Sequence, residues 1–367
     1  MRPEGTRSYF GDSARAREEL VRLLGELFSS WGYEPVELSA LEPYDPAHPN
    51  AHRAFKLVDK NGEVLALRSE FTTALARALK EEGLLGEGPQ RFRYAGALWL
   101  REAPAELGRL REFHQVGVEL VGVSSPSADA ELLALAHEAL AAARVEGAVI
   151  EIGLPAFVRH TLKAAGLDEE ATERLRRAVN KKAVPELYEL VAAYGVKGKV
   201  REAILALPDL FGGQEVLAEA GRLAPNAEAK EALDWLLEVV ESVPDLPLVF
   251  DLGLGRRYDY YSGLTFRALS PAHGFPLLGG GRYDGALLEK AAGFALGLER
   301  LLAASGLVPS RPERYLAASP AVAERLRREG KVALLATARD EEGMLAEARA
   351  LGVRYLATAS GVREVGE

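Results

Sequence analysis

The segment Arg111-Glu112-Phe113-His114-Gln115-Val116-Gly117-Val118-Glu119 alternates with the period of a strand, which puts Arg111, Phe113, Gln115, Gly117 and Glu119 on one face. A carboxylate and an amide then point the same way across a glycine. Gly117 is expected to leave a gap where a small ligand could lie, since a plain β-face would carry Val or Ile there. The same pattern also suits a solvent-facing strand. A second acid and a hydroxyl, Glu70 and Thr72, stand at a strand-to-helix junction, where Glu70 could equally serve the helix dipole. The run from Arg256 to Gly263 joins a cation to a strand bearing Tyr260 and Tyr261, and Gly279-Gly280-Gly281-Arg282-Tyr283-Asp284 leads on to Gly297-Leu298-Glu299-Arg300. The glycine run lacks the GxxxxGK[ST] spacing of a phosphate loop, and no GxGxxG follows a strand.

Composition bounds the chemistry further. The 367 residues include no cysteine, which excludes disulfides, thiolate nucleophiles and cysteine metal sites. Of six histidines only His48 and His52 are close, and they lie among Pro46, Pro49 and Asn50, so they read as part of a surface loop and no metal site is expected. The net charge is −9 with Lys and Arg dispersed, which argues against a dominant nucleic-acid footprint. No apolar run approaches the roughly 20 residues of a membrane span, and the opening residues lack a signal-peptide core, so a cytoplasmic location is expected.

These residues need a frame to hold them. Leu20, Leu24, Leu27 and Trp31 recur at helical spacing after Asp12 and Ser13, predicting a capped amphipathic helix that stops at Gly32. Residues 34–38 alternate as a strand. Lys60-Asn61-Gly62 predicts a hairpin turn between two short strands, followed by a helix over Thr72–Glu82. Phe92–Arg101 and Arg111–Gly122 predict a long antiparallel hairpin, and Asp129–Arg144 a helix before a short strand, Val149–Ile152. Residues 155–243 read as almost wholly helical. Strand character returns at Leu246–Leu252, Tyr260–Arg267 and Phe275–Gly279, before a last helix over Ala295–Ala304. Beyond Pro309 and Pro312 come strands at Tyr315–Ala318, Val332–Ala336 and Arg354–Ala357, with helices Ala321–Glu329 and Asp340–Leu351 between them.

Taken in order, Pro3-Glu4-Gly5, Leu67–Thr72, the Arg101 hairpin, Arg111–Glu119, Arg256–Gly263, Gly279–Asp284 and Arg300 resemble the histidyl-tRNA synthetase family over about the first 305 residues. The resemblance implies an α+β fold of the class II aminoacyl-tRNA synthetase type, an antiparallel sheet with flanking helices. It places a synthetase-like core at 1–153 and 245–307, a helical insertion at 154–244, and a small α/β unit at 312–367, a remnant of an anticodon-binding-like domain. Carried over residue by residue, it implies that Glu70, Thr72 and Gln115 hold the amino group of histidine. Glu119 and Tyr261 would read the imidazole, and Arg256 would meet the carboxylate. A zwitterion with a donor-acceptor ring needs such a set.

The ATP side resembles the family less well. Arg101, Arg109, Phe113 and Arg300 are its vestiges. Aligned without a gap from Gly108-Arg109, Arg101 matches the hairpin arginine but Ala103 replaces the glutamate; with a one-residue gap Glu102 is recovered and the arginine becomes Leu100. Together with the short C-terminal unit, this resembles the non-charging members of the family, the regulatory subunits of short-form ATP phosphoribosyltransferase. The resemblance implies no catalysis and no cofactor of its own, free histidine as ligand, and the catalytic subunit as partner. It also implies a homodimer within a hetero-oligomer, and no tRNA or membrane partner. The rival reading is a minimal histidyl-tRNA synthetase, supported by Arg101, Arg256 and Arg300.

Overall fold

The computed structural model describes residues 2–102, 110–253 and 261–366. Contacts divide the chain into two units, Met1–Leu307 and Val308–Glu367. The first opens with helix α1 (Asp12–Ser30), which buries Leu20, Leu24 and Phe28 and starts without a side-chain cap. Strand β1 is only Glu34–Pro35, shorter than the alternation over 34–38 predicts. Strands β2 (Leu41–Pro43), β3 (Lys56–Val58) and β4 (Val64–Leu67) form a separate three-stranded sheet in the order β2-β4-β3. The turn between β3 and β4 holds Gly62 at φ 87°, a conformation that favours glycine. Helix α2 (Phe71–Glu81) follows, with Glu70 as its extended N-cap residue.

The hairpin of β5 (Gln90–Trp99) and β6 (Glu112–Val121) has one unbroken register, from Gln90 opposite Val121 to Trp99 opposite Glu112. Helix α3 (Pro126–Ala142) is capped by Ser125, whose Oγ accepts from the Ala128 amide at 3.2 Å, with Pro126 in its first turn. Strand β7 (Val149–Gly153) leads into six helices: α4 (Pro155–Lys163), α5 (Glu169–Asn180), α6 (Val184–Ala193), α7 (Gly198–Ala206), α8 (Glu215–Leu223) and α9 (Ala227–Glu241). A two-residue strand, β8 (Phe211–Gly212), interrupts them. The apolar faces of these helices share one continuous core with the large sheet, from Leu20 to Ala304.

The chain re-enters the sheet through β9 (Leu248–Asp251), β10 (Thr265–Ser270) and β11 (His273–Arg282). Strand β12 (Ala291–Gly297) precedes helix α10 (Leu298–Ala304). Two expectations are corrected here. Tyr261 lies before β10, not on it, and Ala295–Gly297 end a strand instead of starting a helix. Strand β12 sits between β6 and β11, nearly all of it buried, so its Ala- and Gly-rich sequence carries no alternation to betray it. The nine-stranded sheet runs β1-β5-β6-β12-β11-β10-β7-β9-β8. It is antiparallel through the centre, with parallel pairs at β1–β5 and β7–β9.

The second unit is built from β13 (Arg314–Ala317), α11 (Pro320–Arg328), β14 (Val332–Leu335), α12 (Glu341–Ala350), β15 (Tyr355–Thr358) and β16 (Gly361–Glu364). Its sheet order is β14-β13-β15-β16, parallel except for β16, a strand the sequence reading lacks. Alternation decides the layers: Tyr315, Ala317 and Ala357 pack with Val322 and Leu326 of α11, while Leu316 and Leu356 pack with Ala348 of α12. Among the described residues no helix is long and apolar enough to cross a membrane.

Candidate ligand cavity

Register across β5, β6 and β12 builds the floor of the site. Glu119 faces Phe92 and Gly293, Gly117 faces Tyr94 and Ala295, and Gln115 faces Gly96 and Gly297. Above this floor is a cavity of about 260 Å³ lined by Glu70 and Thr72 from the start of α2, by Phe113, Gln115 and Glu119 from β6, and by Tyr261, Tyr283 and Arg300. The alternation read from β6 is therefore that of a cavity wall, not of a solvent face. Arg256 and Arg109 lie outside the described residues, as does Ala103.

Glu119 is the chemical centre. It is 2% exposed, and three hydroxyls converge on it. Thr72 Oγ1 donates to its Oε1 at 2.7 Å, the Tyr94 hydroxyl donates to the same oxygen at 3.3 Å, and the Tyr283 hydroxyl donates to Oε2 at 2.6 Å. Burial pushes the carboxyl up to about 7, against the pull of those hydroxyls from Tyr283, Thr72 and Tyr94, and Glu70 adds to the rise. Burial, reinforced by Glu119, holds both tyrosine hydroxyls well above their ordinary range, so both stay protonated donors.

Small residues make this packing possible. A side chain at Gly293 would run into the Glu119 carboxylate. A Cβ at Gly117 would lie 2.5 Å from the Tyr94 hydroxyl and 2.7 Å from the Phe294 carbonyl. The expected ligand gap over Gly117 is thus occupied by the Tyr94 ring, which also stacks on Phe71 at 4.2 Å. The cross-strand partner fills the space a glycine vacates. Arg68 backs this stack: it is buried, lies 4.0 Å from the Phe71 ring, and donates to the carbonyls of Leu38, Ser39 and Ala97.

Glu70 lines the cavity with its carboxylate held by the Thr73 hydroxyl. Behind it stands His48, whose side chain is 8% exposed, with Nε2 3.6 Å from the Glu70 carboxylate. The Asn50 amide donates to His48 Nδ1 at 3.0 Å, which leaves Nε2 to carry the proton toward Glu70. Burial opposes charge on this ring, but Glu70, Glu42 and Asp45 raise its proton affinity overall. The surface-loop reading of His48 is corrected accordingly. Tyr261 is held by its backbone, since Arg159 of α4 donates to the Tyr261 and Ser262 carbonyls at 3.5 and 2.8 Å.

Of the residues expected as vestiges of an ATP site, Phe113 is buried and Arg300 lines the cavity. Arg101 is exposed instead: it donates to the His52 carbonyl at 3.2 Å and to Glu102 at 3.0 Å. Its neighbour Leu100 lines the cavity instead, buried beside Leu98 and Phe113. Sequence reasoning missed Tyr94, Arg53 and His48, and gave Tyr283 no role. The signal for Tyr94 was its place opposite Gly117, which exists only once the hairpin register is known.

An antiparallel sheet that carries its polar site on the hairpin and the glycine-rich strands beside it defines a protein of the class II aminoacyl-tRNA synthetase type. The histidyl-tRNA synthetase family model matches residues 5–301. The chain is 52% identical to the ATP phosphoribosyltransferase regulatory subunit of Thermus thermophilus over 100% of both chains. It is 46% identical to that of Deinococcus radiodurans over 99% of this chain and 90% of the other. A solved structure described as an ATP phosphoribosyltransferase regulatory subunit/histidyl-tRNA synthetase from Bacillus halodurans superposes with a TM-score of 0.83 at 26% identity, covering 95% of this chain and 96% of that one. The chain belongs to the histidyl-tRNA synthetase family, among the regulatory subunits of ATP phosphoribosyltransferase.

Proposed function

We propose that this chain binds free histidine in the cavity and is a non-catalytic regulatory subunit. Glu70, Thr72 and Gln115 hold the amino group, Glu119 and Tyr261 read the imidazole, and Arg256 meets the carboxylate. The observation that carries this reading is Glu119, a buried carboxyl raised to about 7 in a cage of three hydroxyls. Its proton affinity lies close to that of an imidazole, about 6.5, so the two groups form a matched donor-acceptor pair.

Leu100 supports the non-catalytic part. Amino-acid activation builds negative charge that preorganised cations must stabilise, and an aliphatic side chain on the hairpin face offers none. The partner in this reading is the short-form catalytic subunit; the names of the relatives support a catalytic ATP phosphoribosyltransferase partner. In this reading a homodimer of the chain joins it in a larger cytoplasmic hetero-oligomer, raises its activity in joining ATP to phosphoribosyl pyrophosphate, and makes it sensitive to histidine. No tRNA takes part. Feedback follows if histidine binds one state of the complex better than another, since only differential affinity shifts an equilibrium.

Mixing the purified chain with a short-form catalytic subunit tests this directly. Activity should rise on mixing and fall as histidine is added. No activation together with no response to histidine would sink the proposal.

A further inference from the structure

Among the described residues two that line the cavity carry a fixed positive charge, Arg53 and Arg300. Arg300 has a partner within the chain. Arg53 does not: among the described residues its guanidinium makes no hydrogen bond or ion pair, and its Nε is buried. A guanidinium has five donors and no acceptor, so one that lines a cavity without a partner is open to an anionic ligand. Arg53 is half-buried, and what sets it apart is the guanidinium as a whole: the fully buried arginines bond through at least one of its nitrogens, Arg17 to Glu299, Arg68 to three carbonyls, and Arg282 to Asp129 and Asp284.

The backbone fixes where Arg53 stands. It ends the short turn Ala51–Arg53, its amide donates to the Asn50 carbonyl at 3.0 Å, and its carbonyl accepts from the Arg101 amide at 2.8 Å. That bond ties the Arg53 backbone beside Leu100, which also lines the cavity. Arg53 and Leu100 thus reach the same cavity from adjoining stretches of backbone. The cavity also holds Glu70 and Glu119, so a ligand that satisfies it carries N–H groups and an anionic group together. A free amino acid does so, and an amine without a carboxylate does not.

We propose that Arg53 receives the carboxylate of the bound amino acid and so restricts the cavity to ligands in which that group is free. The assignment rests on the histidine reading above and deepens it. A carboxylate has two oxygens, so it can be shared with Arg256.

Calorimetric titration of the full chain with L-histidine and with histamine, which keeps the ring and the amine and lacks the carboxylate, tests the assignment. The unsubstituted chain should bind histidine roughly tenfold or more tightly than histamine, the scale of one charge-assisted pair. Arg53→Gln should cut that margin several-fold by weakening histidine alone, and Arg53→Lys should keep more of it. Unchanged histidine binding in Arg53→Gln, parallel loss of both ligands, or no initial preference for histidine overturns the role of Arg53. If the unsubstituted chain binds no histidine at all, the histidine reading falls and takes this assignment with it. Should Arg53→Gln lose the native circular dichroism spectrum, Arg53→Lys decides the matter, because its histidine affinity must drop while its histamine affinity holds.

Discussion

Glu119 shows how one residue serves both fold and site. Its carboxyl is raised from an ordinary 4.5 to about 7, chiefly by burial, so the folded chain takes up its proton more readily than the unfolded chain does. The associated stability is complete below pH 4.5 and is lost as the pH rises through about 7. Glu119→Gln keeps the shape and removes the charge. The unliganded variant should melt at a higher temperature than the unsubstituted chain at pH 8, with the difference shrinking toward pH 4.5. Its histidine affinity should fall roughly tenfold or more, because the anionic acceptor for the ring is gone. A melting temperature at pH 8 equal to or below that of the unsubstituted chain contradicts this account of the carboxyl. Glu119, Gln115, Glu70 and Thr72 were legible because period-two spacing and a strand-to-helix junction mark them locally. Tyr94, Arg53 and His48 were not, since their roles depend on cross-strand register and on a loop folding back beneath Glu70.

At the scale of elements, the hairpin and its neighbour β12 work through glycines placed where side chains from other strands must lie. Gly117 is filled by Tyr94 and backed by the Phe294 carbonyl, so Gly117→Ala should cost roughly 1–3 kcal/mol through overpacking. Gly279 also lines the cavity, but a methyl there would meet nothing nearer than the Phe266 carbonyl at 3.9 Å. Gly279→Ala should unfold like the unsubstituted chain yet bind ligand less tightly, since the methyl enters the cavity. Urea denaturation and ligand titration of both variants separate the two effects; equal stability of both would refute the packing role of Gly117. The helices and outer strands were legible from their periodicity. Strand β12 was not, because burial on both faces selects small apolar residues and leaves no alternation.

For the whole molecule, the motifs keep the family's order along the chain, and that order made the architecture legible before any coordinate. Order says nothing of how tightly the parts join. The helices of 155–241 share the core of the first unit, whereas residues 308–367 carry cores of their own. The regulatory reading joins this architecture to the chemistry of one cavity, and both stand on histidine occupying it. The most direct measurement is a crystal structure of the full chain grown with saturating L-histidine. The account predicts histidine in this cavity, its ring against Glu119 and Tyr261 and its amino group at Glu70. A cavity left empty under those conditions, or histidine bound at a distant surface, would contradict it.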